Sequence, residues 1–275
     1  MIPSDDLRLE IESYLGFLID HDLEDAYEAE PINRTLSENK HAFKRAVAAP
    51  AQIPVTPVQA GHNVSPLRPQ SLAHIDLGTM LQEARQRASA ARTLDELYAA
   101  LDAFQHMPLR HEGGKGIVKF RGNPTPDLLV IGECPDTEED AAGIAFAGKA
   151  GDMMDKALKA AGVFEKSLLS GCVFWRPAGG RPLTAEDVSL NAPFVQALIR
   201  LSSPKAILLL GASAVSCVLD MDQSLAKLRG QILSYGDTQK IPVMASYPPN
   251  FLLRQPHAKG LFWKDLLTLV IKPGL

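Results

Sequence analysis

The chain has 275 residues, 46% of them hydrophobic, and a net charge of −4, which is enough apolar material for a sizeable core. No run reaches the roughly 18 apolar residues of a membrane span, and the acidic opening MIPSDDLRLEIE lacks the basic-then-apolar order of a signal peptide. The three cysteines, Cys134, Cys172 and Cys217, form no CxxC pair. Membrane and disulfide-scaffold classes are therefore excluded, and a cytoplasmic protein with reduced, buried thiols is expected.

Charge divides along the chain. Residues 1–30 hold ten acids against Arg8 alone, whereas residues 170–275 hold eleven Lys and Arg against six acids. The second half thus has the sign that a phosphate backbone attracts. Within residues 5–19, Leu7, Ile11, Tyr14, Leu15, Leu18 and Ile19 make an apolar stripe opposite an acidic face, which predicts a short amphipathic helix. Five prolines between Val47 and Pro69, without helical or strand periodicity, have linker composition. The reading is an acidic helical arm over 1–46, a Pro-rich linker over 47–75 and an α/β domain over 76–275.

Helical periodicity covers residues 77–91, and Thr93-Leu94-Asp95-Glu96 is a capping box that opens a second helix. Turn signals at residues 113–116 and 122–124 bracket a short strand over 117–120. Residues 128–131 are continuously apolar, as a strand is when helices cover both faces of a parallel sheet. That strand stops at Gly132-Glu133-Cys134-Pro135, so an acid stands at its carboxyl end, where open α/β sheets bind ligands. An acidic turn follows, then Gly143, Gly148 and Gly151 around Phe146, and Met153, Met154, Ala157 and Leu158 at helical spacing. Phe146 has two readings, a ring that stacks a flat ligand or a plug for the core.

Strands are predicted over 168–174, 206–210 and 241–246. They alternate with helices capped at Thr184 and opened at Gly211-Ala212, and a closing helix runs over 256–270. This order predicts a three-layer αβα fold around a mostly parallel, four-stranded sheet. A nucleotide-binding α/β protein is the remote alternative, since neither a Walker pattern nor GxGxxG follows any strand.

Gly132, Glu133, Pro135, Glu139, Asp140, Gly143, Phe146, Gly148 and Gly151 fall in register with the first motif of the iron-sulfur (family 4) uracil-DNA glycosylases. The resemblance spans about residues 101–270. It includes Arg176-Pro177 with Arg181, Leu210-Gly211, Arg229-Gly230 and Leu252-Leu253-Arg254 with Lys259 and Trp263, in family order. It implies the glycosylase fold, a DNA substrate and a cluster held by four cysteines. The matching positions here are Phe104, Met107, Trp175 and Asn191, so no cluster and no metal ligands are expected. The resemblance also marks losses. Pro248 stands where the family has the histidine that stabilises the departing uracil, Gly171 where it has an asparagine that reads the base, and Asp136 where it has glycine.

The site read from this comparison has Glu133 and Asn250 as catalytic candidates. Gly132, Cys134, Asp136, Phe146 and Gly171 are candidates for holding a base, and Arg176, Arg181, Arg229, Arg254 and Lys259 for holding DNA. His257 reads as a solvated polar residue. Two functions follow. One is a monomeric repair glycosylase with altered or weak activity on single-stranded or uracil-containing DNA. The other is a binding protein on a degenerate glycosylase scaffold, with the acidic arm serving a protein partner. Pro248→His with Gly171→Asn is expected to restore excision.

Overall fold

A computed structural model describes residues 76–271, apart from 222, 238 and 239. The expectations for the arm (1–46) and the linker (47–75) lie outside the described residues. Two helices come first. Asp76 caps α1 (Leu77–Ala90), its carboxylate accepting from Gly78 N at 2.7 Å and from Thr79 N. Thr93 caps α2 (Leu94–Ala103) by accepting from Glu96 N at 3.1 Å. The Glu96 carboxylate then accepts from Arg92 N instead of Thr93 N, so the reciprocal half of the expected box is displaced by one residue.

The sheet is built from β1 (Arg121–Gly122), β2 (Leu128–Gly132), β3 (Ser167–Gly171), β4 (Ala206–Leu210), β5 (Ile232–Tyr235) and β6 (Ile241–Ser246), in the order β1-β3-β2-β4-β6-β5. The four inner strands are parallel, as expected, and antiparallel β1 and β5 extend the sheet at its two edges. The strand expected over 117–120 is reduced to a single bridge between Lys119 and Ile144, closed by Lys119 N to Gly143 O and Ala145 N to Lys119 O. Pairing with β2 ends at Gly171, three residues before the predicted end of β3, although Cys172 to Trp175 remain buried.

The intervening helices are α3 (Thr137–Ala142), α4 (Gly148–Ala160), α5 (Ala185–Ser202), α6 (Ala212–Leu219), α7 (Leu225–Leu228), α8 (Pro249–Arg254) and α9 (Lys259–Val270). A short 3-10 turn, Pro256–Ala258, precedes α9, so the closing helix starts later than its sequence pattern suggested.

The fully buried strands supply both cores by alternation. Leu129 and Ile131 of β2, with Ile207 and Leu209 of β4, pack with residues of α1, α2, α5 and α6. Leu128 and Val130, with Ala206, Leu208 and Leu210, pack with residues of α4, α8 and α9. Continuous apolar runs in β2 and β4 are thus explained by helices on both faces, giving three layers.

Candidate active site

The carboxyl ends of β2 and β3 and the start of α8 surround a cavity of about 620 Å³ lined by Glu133, Cys134, Asp136, Phe146, Gly171, Arg176, Pro248, Asn250 and Arg254, among others. Eight of these are residues that the sequence singled out for base, DNA or catalysis. The cavity lies at the sheet edge where α/β folds place ligands.

Glu133 follows β2 and turns toward the start of α6, where Oε1 accepts from Ser213 N at 3.4 Å. A Cβ on Gly211 would lie 2.2 Å from Glu133 Cδ, and Gly211 has φ +105, so only glycine leaves room for the carboxylate there. Burial raises the Glu133 pKa, and the Ser213 N–H and hydroxyl and the Ala212 N–H oppose it. Burial, reinforced by the Glu133 charge, pushes Cys134 up to about 11, so its sulfur stays a thiol and a poor nucleophile.

The segment read as an acidic turn is helix α3 with a complete capping box. Asp136 Oδ1 accepts from Glu138 N at 2.8 Å and Glu139 N at 3.0 Å, and Glu139 Oε2 accepts from Asp136 N at 2.8 Å. Glu139 Oε1 also accepts from Phe146 N. Asp136 therefore has a backbone task, and its second oxygen, Oδ2, accepts from Asn250 Nδ2 at 3.3 Å. Burial raises the Glu139 pKa against those two N–H bonds.

Phe146 adopts φ 55, a conformation uncommon for a bulky side chain. A Cβ on Gly151 would sit 1.6 Å from Phe146 O, and one on Gly132 would sit 2.9 Å from the ring. The two glycines thus let the helix and the strand close directly on the aromatic. The ring is 7% exposed, belongs to the α4-side core and also lines the cavity, so both readings of this residue describe part of its position.

Gly171 changes the expectation for restored activity. A Cβ there would meet Val173 O at 2.7 Å and Glu133 O at 3.0 Å, both backbone atoms. Asparagine at 171 therefore requires the strand end to move, and Pro248→His alone is the compatible change.

The basic candidates separate into two groups. Arg176 and Arg254 line the cavity, and Lys259 is exposed at the start of α9. Arg181 is bound instead by Glu112 and by nearly inaccessible Asp187, whose Oδ2 lies 2.6 Å from Nη1. Arg229 Nη2 lies 3.0 Å from both oxygens of buried Asp265, and its guanidinium stands 5.1 Å from the Tyr247 ring centroid. Ser246 Oγ donates to the same carboxylate at 2.6 Å. Arg181 and Arg229 thus hold loops that frame the site. Sequence distance concealed this, since Arg181 and Glu112 are 69 positions apart.

Phe104, Met107 and Trp175 are at most 2% exposed and belong to one core cluster. Asn191, also buried, donates from Nδ2 to Asp187 O at 2.7 Å and to Met107 Sδ at 3.2 Å, while its Oδ1 has no partner. This set provides no thiolate, and it does not fit a cluster bound by four cysteines.

The fold and cavity define an α/β protein with a cavity at the carboxyl edge of the parallel part of its sheet. The model of the uracil DNA glycosylase superfamily matches residues 120–267, and the chain belongs to that superfamily. The type-4 uracil-DNA glycosylase of Thermotoga maritima is 30% identical over 146 residues, covering 52% of this chain and 75% of that protein. The type-4 uracil-DNA glycosylase of Pyrobaculum aerophilum is 27% identical over 179 residues, covering 63% and 91%. Sulfurisphaera tokodaii has another similar type-4 uracil-DNA glycosylase, 25% identical over 166 residues and covering 57% and 76%.

Proposed function

We propose that this protein serves base-excision repair by binding DNA at the cavity, and that its uracil excision is weak or lost. The observation that carries this reading is Pro248 in the cavity wall, beside Glu133 and Phe146. Loss of uracil leaves negative charge on the base, and proline offers neither a side-chain donor nor an N–H to receive it. Phe146 would pack against an extruded base, Glu133 would orient water, and Arg176, Arg254 and Lys259 would hold phosphates. The iron-sulfur cluster is proposed to be absent, its volume taken by Phe104, Met107, Trp175 and Asn191.

Uracil release from single- and double-stranded oligonucleotides tests the reading, with Glu133→Ala as the control. Wild type is expected to release little. Pro248→His is expected to gain about 10²-fold, the scale of one electrostatic group. Robust wild-type turnover would refute it. Elemental analysis is expected to find no stoichiometric iron.

A second reading, a non-catalytic binder, is favoured by the closed space at Gly171, which leaves no room for a base-reading side chain. The acidic arm would then engage a protein partner in the cytoplasm, and deleting residues 1–46 should abolish that association.

A further inference from the structure

At the Pro248 wall the cavity lacks the donor that a departing anion needs, and its two guanidinium groups, Arg176 and Arg254, are those assigned above to phosphates. Pro248 and Pro249 contribute no donor, and Gly171 cannot accept a side chain without moving backbone. The one side-chain amide, on Asn250, is already directed to Asp136 Oδ2. Acceptors are present instead. Asp136 Oδ2 keeps a lone pair beside that bond, and Glu133 stands in the same lining, its Oε1 accepting from Ser213 N at 3.4 Å. Both oxygens of Glu139 are taken by N–H groups, so its carboxylate shapes the site instead of contacting a ligand.

Resting on the glycosylase reading above, we infer that the cavity takes a base bearing positive charge, an N-alkylated purine, in preference to uracil. Such a nucleotide needs no donor for its leaving group. When the bond from C1′ to N9 breaks, the electron pair passes to the purine ring and cancels its charge, so the base departs neutral. The oxygen of water bonds to C1′, and its proton passes to Glu133 and on to solvent, leaving an abasic site. Asp136 and Glu133 attract the cationic base into the cavity, and undamaged purines, which would leave as anions, gain no assistance. The volume of about 620 Å³ lies well within the ~300–1,000 Å³ of small-ligand sites, so a two-ring base is admitted.

The test uses the full-length protein on duplex DNA treated with dimethyl sulfate, which carries 7-methylguanine and 3-methyladenine. Released bases are separated chromatographically and compared with uracil release from a uracil-containing duplex. Methylpurine release is expected to exceed uracil release by about 10²-fold, the scale of an unassisted anionic leaving group. Asp136→Asn keeps a good cap on α3 and should reduce methylpurine release about tenfold, one charged hydrogen bond. Asp136→Ser is the second capping variant if the first melts early. Equal or faster uracil release overturns the inference, as does methylpurine release that neither variant alters. If neither base is released while Arg254→Ala still weakens DNA binding, the cationic-base assignment fails and the proposed binding of DNA at the cavity stands. If Arg254 is also irrelevant to DNA binding, both fail.

Discussion

Glu133 is held where its charge is costly, and this sets the pH dependence of the fold. Burial raises its folded-state pKa above the unfolded value, so folding favours the protonated form. Its contribution is fully present below the ordinary glutamate value of about 4.3 and is lost as pH rises through the raised one. Glu133→Gln cannot ionise, and we expect it to melt roughly 2–4 °C above wild type at about pH 7, with the difference closing near pH 4. Calorimetry across that range checks both sign and window. Part of this residue's surroundings was legible, since an acid after an apolar run and a following proline mark the strand end. Gly211 and Ser213, which position the carboxylate, lie about 80 residues further on and carry no local sign of that role.

The helix starts show which elements can be recognised from sequence. Thr184 and Asp187 form a complete box on α5, as the Thr-x-x-Asp spacing and the long apolar helix behind it predicted. The same spacing at Asp136 and Glu139 reads as a turn, because α3 has six residues and buries none of them, so no periodic signal supports a helix. Likewise β1 has two residues and β5 is mostly half-buried, and neither produces a run that stands out from loop. Asp187 carries more than its cap. Burial pushes its pKa up, yet Arg181 and the Thr184 N–H and hydroxyl outweigh this and hold it below the usual range. Asp187→Ala should therefore cost about 2 kcal/mol, the upper end for a lost cap, because Arg181 loses its buried partner as well. Chemical denaturation with an unchanged m-value would measure that loss cleanly.

For the molecule as a whole, acids and bases partition between fold and ligand. Arg181 and Arg229 are committed internally, whereas Arg176 and Arg254 line the cavity and Lys259 is exposed, and on the proposed reading these three meet phosphates. Arg254→Ala should weaken binding to all DNA sequences alike and reduce the slope of log affinity against log salt by about 1, measured by fluorescence anisotropy. The two-sided core and the parallel order were readable because β2 and β4 are apolar along their whole length. Which arginines face outward was not, because ion pairing is decided by chain neighbours in space. Glu139 ties the backbone N–H of Asp136 to that of Phe146, so this stretch of the cavity wall is held together by the protein itself. That part of the wall is tied without a ligand, and the observed association rate with an abasic-site oligonucleotide should rise linearly with concentration and show no plateau in stopped-flow mixing.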